Sequence, residues 1–120
     1  MKTILIVDDE EEIRTMVFFA LKNPGYRILE TADGKTALEL AKREKPDLVV
    51  LDWMMPRMTG IEVASALRED PVTAEVPIIM LTGVNEERRR QQAYDLKVLS
   101  YIAKPFSLLE LREKVRILLE

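Results

Sequence analysis

Ile4-Leu5-Ile6-Val7-Asp8-Asp9 and Leu48-Val49-Val50-Leu51-Asp52 decide how this chain folds, because each is an unbroken apolar run that stops abruptly on carboxylates. Two further runs end in the same manner: Ile78-Ile79-Met80-Leu81 on Thr82, and Tyr101-Ile102-Ala103 on Lys104-Pro105. If the four are parallel strands of one sheet, their carboxyl ends share an edge, and ligands of open α/β sheets bind outside that edge. Three carboxylates, a hydroxyl and an ammonium would then meet in one small pocket.

Outward from these runs, short apolar segments alternate with longer amphipathic ones along the whole chain, the pattern of βαβ units and a parallel sheet. Strands are predicted near residues 3–7, 26–30, 48–52, 77–82 and 98–102. Ile13, Met16, Val17, Ala20 and Leu21 form an apolar stripe on the first helix, and Leu108, Leu111, Val115, Leu118 and Leu119 one on the last. Pro24-Gly25 and Asp33-Gly34 read as turns, and Pro46, Pro71 and Pro77 fall between elements. Thr59 with Glu62, and Ser107 with Glu110, have capping-box spacing. A helix over 86–96, containing Arg88-Arg89-Arg90-Gln91-Gln92, offers mainly Ala93, Tyr94 and Leu96 to a core, so it is either a solvated face or a weakly anchored element.

At 120 residues, 48% hydrophobic and 32% charged, the chain reads as one globular domain, residues 1–120. No apolar stretch has the length of a membrane span, and the first strand begins too early to leave room for a signal peptide, so a cytoplasmic protein is expected, with no membrane partner. Without cysteine or histidine it can build neither a thiolate metal site nor a Ser-His-Asp triad, and any phosphohistidine it uses must belong to a partner. A formal net charge of -3 gives no broad basic footprint, which argues against direct nucleic-acid binding by this domain.

Asp8, Asp9 and Asp52 would crowd three negative charges together. At an effective dielectric near 20, each like-charge pair about 5 Å apart costs roughly 3 kcal/mol. Such a cluster takes up protons or binds a divalent cation, and hard oxygen ligands favour Mg²⁺, Mn²⁺ or Ca²⁺. Plainer explanations exist for each residue alone. The five acids Asp8 to Glu12 suit the positive end of a helix, and a strand-end aspartate can simply form a turn. Neither explains why Asp52 and Lys104 end strands at the same edge.

Ile6-Val7-Asp8-Asp9-Glu10, Leu51-Asp52-Trp53-Met54-Met55-Pro56 with Met58-Thr59-Gly60, Met80-Leu81-Thr82 and Tyr101-Ile102-Ala103-Lys104-Pro105-Phe106, in that order, resemble the motifs of a response-regulator receiver domain of two-component signalling. The resemblance covers essentially the whole chain. It implies a flavodoxin-like (βα)5 domain with strand order 2-1-3-4-5 and helices on both faces. It implies that Asp52 accepts a phosphoryl group from the phosphohistidine of a histidine kinase or histidine phosphotransfer protein. Asp9, Asp52 and the Met54 carbonyl would bind Mg²⁺, with Mn²⁺ an alternative, and Asp8 would act mainly through water. Lys104 would neutralise charge, Thr82 would donate its hydroxyl, and the Met54 and Gly83 amides would complete the phosphoryl site. Tyr101 would be the switch aromatic that turns inward as Thr82 moves, altering the surface of the fourth helix, fifth strand and fifth helix that meets a downstream effector or a second copy. The same likeness gives a cis peptide at Lys104-Pro105, while Trp53 and Phe106, which flank the site in sequence, read as packing residues rather than ligands.

Two positions depart from the pattern. Lys97 stands where the family often has glycine, and Met54 and Val84 occupy positions that tune phosphoryl lifetime. Neither of the latter can hydrogen-bond a water, so self-dephosphorylation should be slow, and the chain is not expected to be a turnover enzyme. Three rivals differ in chemistry. A Mg²⁺-dependent Asp-nucleophile phosphatase needs an acid/base aspartate where this chain has Met54. An FMN carrier would have its phosphate repelled by Asp8 to Glu12. A receiver-like interaction module without phosphorylation has no use for Asp8, Asp9, Asp52, Thr82 and Lys104 together.

Overall fold

A computed structural model describes residues 1–82, 100–103 and 107–120, with the backbone alone at residue 82 and residues 100–103. Five strands form one parallel sheet: β1 (Lys2–Val7), β2 (Tyr26–Thr31), β3 (Leu48–Asp52), β4 (Ile78–Thr82) and β5 (Ser100–Ala103). Their order is β2-β1-β3-β4-β5, the order expected from the family likeness. Between and after them lie α1 (Glu11–Leu21), α2 (Gly34–Glu44), α3 (Gly60–Glu69) and α4 (Leu108–Leu119). The last corresponds to the predicted fifth helix, because the helix predicted over 86–96 lies outside the described residues, as does Lys97.

The continuous apolar runs exist because the central strands serve two cores at once. On one face Leu5, Val7, Val49, Leu51, Ile78 and Met80 pack with Ala37 and Ala41 of α2 and Val63, Ala64 and Leu67 of α3. On the other, Ile4, Ile6, Leu48, Val50, Ile79 and Leu81 pack with Val17 and Leu21 of α1 and Leu111 and Val115 of α4. Successive residues of one strand therefore point into different cores, the period-two geometry of extended chain. Burying an aliphatic side chain of this size stabilises by about 1.5–3 kcal/mol.

Within the described residues the predicted elements hold with small corrections. In α1 the stripe turns slightly: Met16 is 44% exposed, and Phe18 packs against the core in its place. Period alone could not separate the two, since both flank Val17. Asp33-Gly34 is a helix start rather than a turn, with Asp33 capping α2 by accepting the Thr36 N–H at 3.1 Å; the same side-chain geometry serves turns and caps. The five-acid run does not open α1 as a unit either, for the helix begins at Glu11 and only Glu11 and Glu12 occupy its first turn. β4 begins at Ile78, one residue after the predicted start.

Candidate functional site

The carboxyl edge of the sheet is fixed by register. Val7 pairs with Leu51, so the next residues, Asp8 and Asp52, end neighbouring strands at one level. Asp52 pairs with Leu81, and Thr82 with Ala103, which continues the edge across β4 and β5. Of the predicted constellation, Asp8, Asp9 and Asp52 are thus brought to one edge, with the backbone of Thr82 beside them. Tyr101 occupies β5 opposite Met80. Lys104, Gly83, Val84 and Phe106, with the Lys104-Pro105 bond, lie outside the described residues.

Asp8 is fully buried and Asp52 is 2% exposed, whereas Asp9 and Glu10 reach solvent. Asp8, Asp9 and Glu10 each present a carboxylate oxygen within 4.8 Å of the others, an arrangement able to hold a metal ion. Glu10 is an addition to the predicted donors, its membership in the acidic run being the available signal, whereas Asp52, a predicted donor, is not part of this 4.8 Å group. Asp8 is oriented from several sides. Its N–H donates to the Thr31 carbonyl at 3.2 Å. Its Oδ1 accepts the Glu10 N–H at 2.9 Å, and its main-chain carbonyl accepts from Arg14 Nη1 at 2.8 Å.

Asp52 is held through its neighbours. Trp53 N–H donates to the Leu81 carbonyl at 2.8 Å, and the Trp53 carbonyl accepts the Gly60 N–H at 2.9 Å. Gly60 is obligatory here, since a Cβ at that position would lie 2.3 Å from the Asp52 carbonyl oxygen. The predicted Thr59–Glu62 capping box is formed and starts α3 at this contact. At Ser107 only the hydroxyl arm is formed among the described interactions, accepting the Glu110 N–H at 3.2 Å, while Glu110 lies 3.7 Å from Lys114. Trp53 is 6% exposed and belongs to the core on the α2 and α3 side, the packing role expected of it, while Met54 is 57% exposed. The loop beyond is tight: Met58 N–H donates to the Pro56 carbonyl at 2.7 Å, with Arg57 between them at φ 70, a strained three-residue turn.

The clefts at the opposite edge of the sheet have a different character. One of about 320 Å³ lies among Lys22, Asn23, Tyr26, Arg112 and Arg116, and its two arginines are already engaged: Arg112 with the Ala20 carbonyl, Arg116 with Glu113 and Glu120. Among the described residues no helix is long and apolar enough to cross a membrane.

The arrangement can bind a hard cation beside a buried carboxylate, and comparison with known proteins gives it a family. Residues 4–116 match the family model of the response regulator receiver domain. The chain is 45% identical over 118 residues to the phosphate regulon transcriptional regulatory protein PhoB of Pseudomonas aeruginosa, covering 98% of this chain and 52% of that protein. It is 42% identical over 118 residues to the alkaline phosphatase synthesis transcriptional regulatory protein PhoP of Bacillus subtilis, with 98% and 48% covered. The chain thus spans about half the length of the curated relatives it matches. Among solved structures, the chemotaxis protein CheY4 of Vibrio cholerae superposes with a TM-score of 0.91 at 32% identity, covering 98% of both chains. Strand order, strand-end acids and these matches agree: the chain belongs to the response regulator receiver domain family, the phosphorylation-dependent signalling modules of two-component systems.

Proposed function

We propose that residues 1–120 form a single receiver domain in which Asp52 accepts a phosphoryl group from the phosphohistidine of a histidine kinase or phosphotransfer protein. The observation that carries this reading is the placement of Asp52, buried at a strand end, beside the strand end that bears the Asp8, Asp9 and Glu10 carboxylates. A carboxylate oxygen of Asp52 attacks phosphorus, and the phosphorus–nitrogen bond breaks with its electron pair returning to the imidazole, which takes up a proton. Asp8, Asp9, Asp52 and the Met54 carbonyl, with Glu10 as a further donor, would hold Mg²⁺, and the oxygen-only donor set fits that ion. When bound, Mg²⁺ supplies positive charge to the phosphoryl oxygens. Lys104 supplies a second positive charge, the Thr82 hydroxyl and the Met54 and Gly83 amides donate hydrogen bonds, and Tyr101 follows Thr82 inward.

The consequence of phosphorylation is a changed surface around the helix predicted over 86–96, β5 and α4, which meets an effector or a second copy of the chain. One relative, from Synechocystis, is described as a DNA-binding master regulator; in this reading DNA contact belongs to an effector and not to the receiver, and the protein works in the cytoplasm. Self-dephosphorylation is slow. A phosphatase reading is disfavoured by Met54, which has no proton to exchange and is 57% exposed.

Mass measurement after incubation with a small-molecule phosphodonor and Mg²⁺ tests the proposal. The wild type should gain one phosphoryl group, and Asp52→Ala should gain none. An unmodified wild type, or a modified Asp52→Ala, would overturn it, and sustained hydrolysis of para-nitrophenyl phosphate would favour the phosphatase.

A further inference from the structure

Arg14 touches the acidic edge without contributing a ligand. From the first turns of α1 its Nη1 donates to the main-chain carbonyl of Asp8 at 2.8 Å, and its Nε lies 3.8 Å from Oε1 of Glu30 on β2. Its side chain is only 18% exposed, and that of Glu30 is 37% exposed. The guanidinium therefore spans α1, the end of β1 and the adjacent edge strand, at the point where the chain leaves the sheet to present Asp8, Asp9 and Glu10.

We infer that Arg14 is a positioning residue for the acidic cluster: by holding the Asp8 carbonyl it sets the β1–α1 turn, and so sets the separation at which the three carboxylates meet a divalent cation. The inference rests on the Mg²⁺ reading above. Two effects of this side chain oppose one another. Its positive charge repels an incoming cation, so charge alone makes Arg14 unfavourable for metal binding. Its hydrogen bond orders the turn, so geometry makes it favourable. A screened charge acting from outside the ligand set changes affinity by a few-fold. Mg²⁺, in contrast, demands near-ideal octahedral geometry, and outer-shell partners that orient ligands typically matter by about 10–100-fold. Positioning should therefore win, and the sign of the effect reports which one does.

Trp53 supplies the readout, being the sole tryptophan and the immediate neighbour of Asp52. Titrating MgCl₂ against Trp53 fluorescence, with calorimetry alongside, should show Arg14→Gln binding on the order of tenfold more weakly than wild type. Arg14→Lys keeps the charge but gathers its donors on one nitrogen that cannot reach both partners, so it should recover part of the loss. Glu30→Gln, which frees the guanidinium while leaving its charge, should weaken binding by a few-fold. Urea denaturation in chelator separates positioning from simple support. If Arg14→Gln lowers only the chelated midpoint and leaves Mg²⁺ affinity unchanged, or tightens it, the inference is wrong. If Arg14→Gln does not fold, Arg14→Lys carries the test, and an affinity equal to wild type overturns the inference. A wild type that binds no Mg²⁺ by either method defeats the metal reading itself, and this inference with it.

Discussion

Crowded carboxylates at a strand end are the residues on which the proposed phosphoryl chemistry turns. Asp8, Asp9 and Glu10 hold like charges within 4.8 Å of one another, a contact that favours a bound cation and disfavours the metal-free fold. Water screens the exposed members, which reduces the roughly 3 kcal/mol of an interior pair to about 1 kcal/mol. Asp9→Ala should therefore raise the urea midpoint in chelator by the equivalent of about 1 kcal/mol and abolish stabilisation by added Mg²⁺; an equal or lower metal-free midpoint would contradict the electrostatic account. At this scale the sequence disclosed the acids and concealed their supports. The Asp8-Asp9 pair and Asp52 were legible because each stands where an apolar run stops. Arg14 was not, since it acts on a main-chain carbonyl, and a carbonyl leaves no mark in a sequence. Glu10 was in view within the motif but was not separable from ordinary helix-start acidity.

Elements bring these residues into position by close approach. α3 begins against β3 with no room for a side chain: Gly60 lies where an added Cβ would sit 2.3 Å from the Asp52 carbonyl oxygen and 2.9 Å from Trp53 Cα. Both obstacles are backbone, which cannot rotate aside. Gly60→Ala should lower stability by about 3 kcal/mol in urea denaturation, and it should shift the near-ultraviolet circular dichroism of Trp53 by moving the strand end. A variant of wild-type stability would mean that α3 can slide away from β3. The element boundaries were readable where local chemistry was unambiguous, as at the Thr59–Glu62 box. They were less so where one residue type serves two purposes. Asp33 suits a turn as well as a cap, and only the Thr36 N–H that it accepts decides the matter. Met16 and Phe18 illustrate a second limit, for a helical stripe specifies a face but not which of its two margins meets the sheet.

Across the whole molecule, acid should loosen the fold through carboxylates held below their ordinary range. The Thr36 hydroxyl and N–H lower Asp33 from 3.8, the Arg27 and Arg43 guanidinium groups lower Glu44 from 4.5, and Arg116 lowers Glu113 from 4.5. A folded-state value below the unfolded one gives stability that is present above the unfolded value and lost as pH falls through the folded one. The urea midpoint should thus hold level from neutrality to about pH 5 and then decline. Asp33→Asn, which retains a capping oxygen, should decline less steeply below that point, and an identical slope would remove Asp33 from the explanation. The two-sided layering came from resemblance, although the structure shows its trace in the sequence, since a strand covered on both faces is apolar at every position. The strand order came from resemblance, as periodicity carries no information about neighbours. The shared strands also set how the chain can change length. One residue inserted within Leu48–Asp52 would send the side chains on one side of the insertion to the opposite core, and would move Asp52 about 3.3 Å past the ends of its neighbours. Substitutions here exact a local cost, whereas an indel exchanges two interiors and dismantles the site in one step. Length variation in this fold is therefore confined to its connections, and the count of residues between the start of β3 and Asp52 acts as a ruler for the chemistry at its end.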